Sequence, residues 1–315
     1  MRIRATVAAV TGALALSAFA VPAAQAADSV SHADIAKVLE AAHSGTGKAA
    51  FRTATATATA TAASGTPYAL DASFSDVKVN KGKAVVLGIS KQVTVPITYT
   101  LTHAEDVDVT ADDFLTGVDL YRGSSSVEDS EWGLSSDGFA ACTETTTTTA
   151  TCSLSIVVTP GDDVLNEDAG KWYADAYAVA LNGEDPNNTD IDLSKVGVAE
   201  QDGFGAPNFQ RYSKLTVNAS PEPVKKGRTI TVTGALTRAN WDTGKYAGYT
   251  SQSVKLQFKK KGSSTYTTVK TIKSDSKGNL KTTVTASADG TFRYSFAGTS
   301  TTPAVNSAGD AIDVQ

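Results

Sequence analysis

Histidine and cysteine are scarce in this chain: three His and two Cys in 315 residues. His32 and His43 fall in an N-terminal segment of doubtful structure, and only His103 lies in a stretch that reads as a folded domain. There is no Gly-x-Ser-x-Gly, no His-Glu-x-x-His, no P-loop and no dinucleotide-binding glycine motif. The usual signatures of nucleophilic, metalloprotease and nucleotide chemistry are therefore missing, and the chain reads as a non-enzyme. A carboxylate pair working on a glycan is the least favoured alternative. Charge is also sparse, at 19% of residues, with a net charge of −5. That balance, with an isoelectric point near 5.3, argues against a dedicated nucleic-acid binder. An apolar share of 41% is too high for a disordered chain. Beyond the first 26 residues no long apolar run occurs, which argues against membrane insertion, and Gly309 to Gln315 form no hydrophobic tail.

The N-terminus carries the most specific signal. Arg2 and Arg4 precede an apolar run from Ala5 to Val21, and Ala24-Gln25-Ala26 is a small-x-small cleavage site. This is the pattern of a secretory signal peptide over residues 1–26. No cysteine sits at the cleavage point for lipid attachment. The expected protein is secreted and extracellular, held to the cell wall non-covalently if at all. Cys142 and Cys152 agree with export. They are ten positions apart around a threonine-rich turn, and in an oxidising compartment such a pair reads as a disulfide across a hairpin.

Threonine is abundant, at 42 residues. A β-branched side chain is stiff in a helix and packs well on a pleated surface, so this composition leans toward strands. One helix is expected. Ser31-His-Ala-Asp34 resembles a capping box with Asp in the place of Glu, and Ile35, Val38, Leu39 and Ala42 then mark one helical face, ending near Ser44-Gly45. Thr53 to Ala62 alternates Thr and Ala strictly and reads as a spacer rather than a strand. Residues 27–66 thus form a short helix and a Thr/Ala-rich segment.

From Tyr68 the pattern becomes strand, turn, strand. Candidate strands are Phe74–Val79, Val93–Leu101, Val118–Arg122, Cys152–Val158 and Trp172–Ala180. The last hundred residues are more regular. Seven strands are expected, at Lys214–Asn218, Thr229–Leu236, Ser253–Lys259, Thr265–Lys273, Asn279–Ala286, Thr291–Ala297 and Ala311–Gln315. Ile230, Val232 and Leu236, Val254, Leu256 and Phe258, and Phe292, Tyr294 and Phe296 alternate with polar residues, so one face of each strand is core. The fold class is all-β: two tandem immunoglobulin-like β-sandwiches, an acidic one over 67–213 and a basic one over 214–315.

The strand-and-turn run from Tyr266 through Ser274-Asp275, Gly278, Asp289-Gly-Thr-Phe-Arg-Tyr294 and Gly298 to Asp310-Ala-Ile-Asp-Val314 resembles the bacterial immunoglobulin-like domains of exported actinomycete proteins. The resemblance covers the chain from Lys214 onward, and the first domain is similar to a more divergent relative. It implies fold rather than function. Some secreted proteins of this kind are labelled calcium-binding, which directs attention to the carboxylates.

Charge divides unevenly, with −16 from Ala27 to Ser213 and +9 from Lys214 to Gln315. The basic half could sit on an anionic wall polymer while the acidic half faces outward or binds cations; the plainer reading is two complementary domains. Three acidic clusters lie in the first domain: Glu105/Asp106/Asp108 with Asp112/Asp113, then Asp162/Asp163 with Asn166, Glu167 and Asp168, then Glu184/Asp185 with Asp190 and Asp192. Calcium requires six to eight oxygens from converging loops. The second cluster is the densest, so Asp162, Asp163, Glu167 and Asp168 are the candidate calcium ligands, although no EF-hand pattern is present. In the basic domain, Trp241, Tyr246 and Tyr249 fall in an apparent long connection from Arg238 to Gln252 and could stack on sugar rings or anchor a partner; the alternative is that they close one end of the core. The expectation is a secreted, non-catalytic binding protein. Its partner would be a cell-wall polymer or an extracellular protein, with no cofactor; the alternative is a calcium-binding extracellular module with the acidic loops of the first domain as ligands.

Overall fold

The computed structural model describes residues 30–44, 64–127, 130 and 132–315. The leader (1–26) and the Thr/Ala alternation (53–62) lie outside the described residues. No described helix is long and apolar enough to cross a membrane.

The helix is α1 (His32–Ser44), and its cap forms as the spacing requires. The Asp34 carboxylate accepts from the Ser31 backbone N–H at 3.1 Å, and the Asp34 N–H donates to the Ser31 hydroxyl at 3.3 Å. Ten strands follow: β1 (Tyr68–Ala69), β2 (Ala72–Val79), β3 (Val85–Leu87), β4 (Val93–His103), β5 (Phe114–Arg122), β6 (Trp132–Leu134), β7 (Ala141–Thr146), β8 (Thr149–Val158), β9 (Gly170–Ala180) and β10 (Gly197–Arg211). One sheet runs β1-β10-β9-β5-β6 with β3 beside β10; the other runs β2-β4-β8-β7. They enclose one core that includes Val95, Ile97, Tyr99, Leu101, Leu120, Ile156, Trp172 and Phe209. Strand β4 shows why: Val95, Ile97, Tyr99 and Leu101 are buried, while Thr94, Thr98 and Thr102 are exposed.

Strands β5 and β9 lack that alternation because both their faces are covered. Val118 and Leu120 with Trp172, Ala174 and Ala176 face the core, whereas Leu115, Tyr177 and Val179 pack with Ile35, Val38 and Leu39 of α1 in a separate cluster. A helix this short is marginal alone. Docking on the back of the sheet supplies what propensity does not. Strand β10, fifteen residues long, escaped the sequence reading because Gly203, Gly205, Pro207 and two register shifts break its periodicity.

The remaining strands are β11 (Ser213–Leu215), β12 (Asn218–Ser220), β13 (Thr229–Asn240), β14 (Lys245–Gly248), β15 (Ser253–Lys260), β16 (Thr267–Lys273), β17 (Asn279–Thr285), β18 (Gly290–Phe296), β19 (Val305–Asn306) and β20 (Asp310–Ile312). A sheet built on β13 carries β11, β12, β14 and β17. The facing sheet runs β16-β15-β18-β19, with β20 also on β18. Ile230, Val232, Leu236, Val254, Leu256, Phe292, Tyr294 and Phe296 fill a second core. Tyr294 lies against Gly234, where a Cβ would come within 3.0 Å of its ring, and the phenol donates to the Val232 carbonyl at 2.9 Å. Apart from α1 and short 3-10 turns, the described residues are all-β: two tandem immunoglobulin-like sandwiches.

The connection from Arg238 to Gln252 is not a long loop. Strand β13 continues to Asn240 and turns back as β14, with Arg238 opposite Ala247 and Asn240 opposite Lys245. The tip of this hairpin enters the first sandwich. Ala239 and Trp241 belong to the first core, and Trp241 is 1% exposed.

Candidate functional site

Each residue singled out in the sequence has a definite place. Cys142 and Cys152 are cross-strand partners on β7 and β8 and form a disulfide. It ties the edge strand β7 to its neighbour.

Trp241, Tyr246 and Tyr249 are packed against neighbouring side chains, Trp241 buried and the two tyrosines half-buried, and the connection that carries them is a hairpin rather than a long loop. Trp241 sits at the joint with its indole N–H directed at the Leu87 carbonyl oxygen, 3.4 Å away. Tyr246 packs on the first core, edge-on to Tyr212, with the Lys214 ammonium 3.6 Å from its ring centre. The Tyr249 ring carries the Arg238 guanidinium at 4.0 Å and meets Phe296 edge-on. The hairpin turns these rings into contacts between and within the sandwiches. An apolar ring of this size is worth more buried at a packed joint than exposed.

The proposed calcium ligands are also drawn into the protein's own hydrogen bonds. Asp163 accepts from the Thr159 N–H at 2.6 Å. Asp168 is buried, accepts from the Leu165 N–H and pairs with Arg122 at 3.0 Å. Asp162 and Glu167 point to solvent. The loop's other polar residue, Asn166, reaches the second sandwich. It bonds to Asn240 and Asp242, and its side-chain oxygen accepts from the Trp241 N–H at 3.0 Å. Among the described residues no group of three or more His, Cys, Asp or Glu side chains is arranged to hold a metal ion. Asn166 of this loop serves the joint, while Asp163 and Asp168 serve hydrogen bonds and an ion pair within the first sandwich.

The first and third acidic clusters share the opposite end of the first sandwich. Asp113 accepts from the Gly183 N–H at 2.8 Å. Asp71, Asp106, Asp108 and Asp113 line an open cavity of about 300 Å³ together with Tyr68 and Phe114. The Thr110 hydroxyl and N–H hold the Asp108 carboxyl below its ordinary value. Glu184 is lowered likewise by Lys195, whose ammonium lies 2.8 Å away. These loops thus contain turn-stabilising carboxylates around a wide mouth.

Two residues missed in the sequence are Asp119 and Asp175. They face each other across β5 and β9 and both are buried. Burial, together with the charges of Asp202 and Asp175, pushes the neighbouring Tyr121 phenol up to about 12. No sequence signal could have marked them, because facing across a sheet is a property of register.

The second sandwich is different in kind. Strands β15, β16 and β18 carry Lys255, Lys259, Lys260, Lys270, Lys273 and Arg293 and no carboxylate. The outward residues are fixed by register: Ser253 opposite Lys273, Lys255 opposite Thr271 and Ser295, Gln257 opposite Thr268 and Arg293, and Lys259 opposite Thr291. Arg293 donates to the Gln257 side chain at 2.8 Å and lies 3.8 Å from the Tyr266 ring centre. Lys259 stands 5.1 Å from the same ring. This is an open, cationic sheet face with one aromatic ring held flat on it.

No family model matches the chain and no curated protein does. Solved structures share parts of its course. An adhesin of Yersinia pseudotuberculosis, InvE, is 13% identical with a TM-score of 0.23, covering 77% of this chain and 58% of that one. The Escherichia coli adhesin FdeC is 20% identical with a TM-score of 0.23, covering 80% and 66%. The BSP domain of a biofilm-associated protein is 9% identical with a TM-score of 0.24, covering 76% and 52%. The chain thus spans somewhat over half the length of the first of these. At such low similarity the fold assignment rests on the sheets and cores described above.

Proposed function

We propose that this chain is an exported, non-catalytic binding protein that attaches to an anionic polymer of the cell surface through its basic second sandwich. One observation carries the reading: four cations, Lys255, Lys259, Lys273 and Arg293, and no carboxylate on the outward face of β15, β16 and β18, in a chain whose net charge is −5. A charge distribution this one-sided attracts polyanions from a distance and holds them at short range. The disulfide fits an oxidising, extracellular compartment. The aromatic residues of the β13–β14 hairpin take no part, since they are engaged at the joint. Calcium is not needed in this reading.

The experiment is co-sedimentation of the full chain with insoluble bacterial cell wall across a salt series. Pelleting at low salt that is lost as salt rises is the expected result. Failure to pellet at any salt would overturn the assignment and direct the search to a protein partner. Adding a chelator is expected to leave pelleting unchanged.

A further inference from the structure

We infer that the ligand is a linear phosphodiester polymer with a short linker, laid along the strands across the outward face of β15, β16 and β18. This rests on the polyanion reading above and specifies both the surface and the chemistry.

Spacing is the first argument. Four successive outward rungs of the sheet each carry one cation: Lys273 on the Ser253 rung, Lys255 on the next, Arg293 on the Gln257 rung and Lys259 on the last. Alternate residues of a strand are roughly 7 Å apart, so positive charge repeats at about that interval. An extended chain advances about 3.5 Å for every three backbone bonds. Phosphates separated by a three-carbon linker, six bonds from one phosphorus to the next, therefore repeat at about 7 Å as well. A nucleic-acid strand has the same three-carbon, six-bond repeat, so spacing selects phosphodiester chains as a class and the net charge of −5 is what argues against nucleic acid.

The second argument is the kind of cation. Arg293 is held in place by the bond from its Nε to Gln257 and by the Tyr266 ring, and its terminal N–H groups remain to face a ligand. The other three rungs carry lysines, which hold phosphate as point charges. Ser253, Thr268, Thr271, Thr291 and Ser295 stand on the same rungs and add hydroxyls that can bond to phosphate oxygens or linker hydroxyls. The third argument is position. Lysines on an edge strand are commonly there to block strand addition. That explains Lys270 and Lys273 on β16, but not Lys255 and Lys259 on β15 or Arg293 on β18, which lie inside the sheet.

The test uses the full chain and a synthetic glycerol-phosphate decamer, followed by calorimetry in a salt series. With a slope near 0.7 per neutralised phosphate and four phosphates engaged, affinity should fall roughly 50-fold between about 50 and 200 mM salt. The variant K255E/K259E/K273E should lose binding at least tenfold beyond the control K225E/K226E/R228E, which makes the same charge change on an exposed turn elsewhere in the second sandwich. K255Q/K259Q/K273Q should fall between wild type and the charge reversal, with unchanged near-ultraviolet dichroism. Equal losses in the face and control variants would overturn the surface. Equal or tighter binding of polygalacturonate would overturn the phosphodiester chemistry, and equal or tighter binding of a 20-base-pair DNA duplex would overturn the simple short-linker polymer as the ligand. Wild-type pelleting with cell wall that persists in the face variant would leave the binding function standing while this surface fails. No pelleting by wild type would fell the function itself.

Discussion

Trp241 shows how a residue's role depends on where its ring ends up. On paper it is an aromatic in a polar stretch between two strands; in the fold it is a core residue of the sandwich that precedes its own. Its backbone is gripped by Asn166, and a Cβ at Gly161 would come within 2.9 Å of its carbonyl oxygen. Gly161 also has a φ of +93°, so the turn that receives the hairpin requires glycine on both counts. Trp241→Ala should cost about 3–5 kcal/mol, the range for emptying a buried aromatic site, read as a shift in the denaturant midpoint with unchanged slope. An exposed ligand-stacking Trp would cost almost nothing in the same measurement. The Cys142–Cys152 bridge closes a short loop, so replacing both residues with Ser should cost about 2–3 kcal/mol in the chain-entropy description. Denaturation with and without reductant gives the same comparison without mutation. The disulfide was legible from ten-residue spacing and a turn; the burial of Trp241 was not.

At the scale of the element, α1 is held by a cap and by one apolar face. Burial raises the Asp34 carboxyl, but the Ser31 hydroxyl and N–H and the Lys37 ammonium together bring it below its ordinary value. A carboxyl that is lowered in the folded state contributes stability above its unfolded value, near 3.9, and that contribution is lost as pH falls through the folded value. Hydrogen-exchange protection in α1, corrected for the intrinsic pH dependence of the amides, should therefore stay constant from about pH 7 to about pH 5 and fall below about pH 4, with Asp34→Asn showing low protection throughout. Protection in α1 that is independent of pH across this range would mean that docking alone holds the helix. The helix was readable because its cap and its 3.6-residue repeat are local. Strand β10 was not, because glycines and register shifts erase its period-two pattern while its neighbours β9, β1 and β3 supply the pairing.

For the whole molecule, the decisive feature is the joint. Besides Trp241 and Asn166, the buried Arg211 donates to the Ala239 carbonyl at 2.6 Å and its N–H bonds to Thr301. Burial and the nearby Arg238 push the Arg211 guanidinium down to about 10, which leaves it charged at neutral pH. With part of the first core supplied by the second sandwich, the two should unfold in a single calorimetric transition. A Trp241→Ala, Asn166→Ala double variant should split that transition in two. Two separate transitions in the wild type would show that the joint does not couple them. A fixed joint also sets the direction in which the cationic sheet face is presented relative to the acidic end of the first sandwich.

The sequence by itself determined what depends on neighbours along the chain. Alternation of apolar and polar residues established an all-β protein, the Ser31–Asp34 spacing started the helix, the two cysteines predicted their bridge, and residue counts separated an acidic half from a basic one. Only the tertiary structure decided which residues meet across strands and across the joint. It buried Trp241 and packed Tyr246 against the first core, since one sandwich fills a gap in the other. It committed the carboxylates of residues 162–168 to backbone N–H groups and Arg122, or left them in solvent. It also set Lys273, Lys255, Arg293 and Lys259 on successive rungs, because strand pairing is a long-range choice that no local pattern encodes.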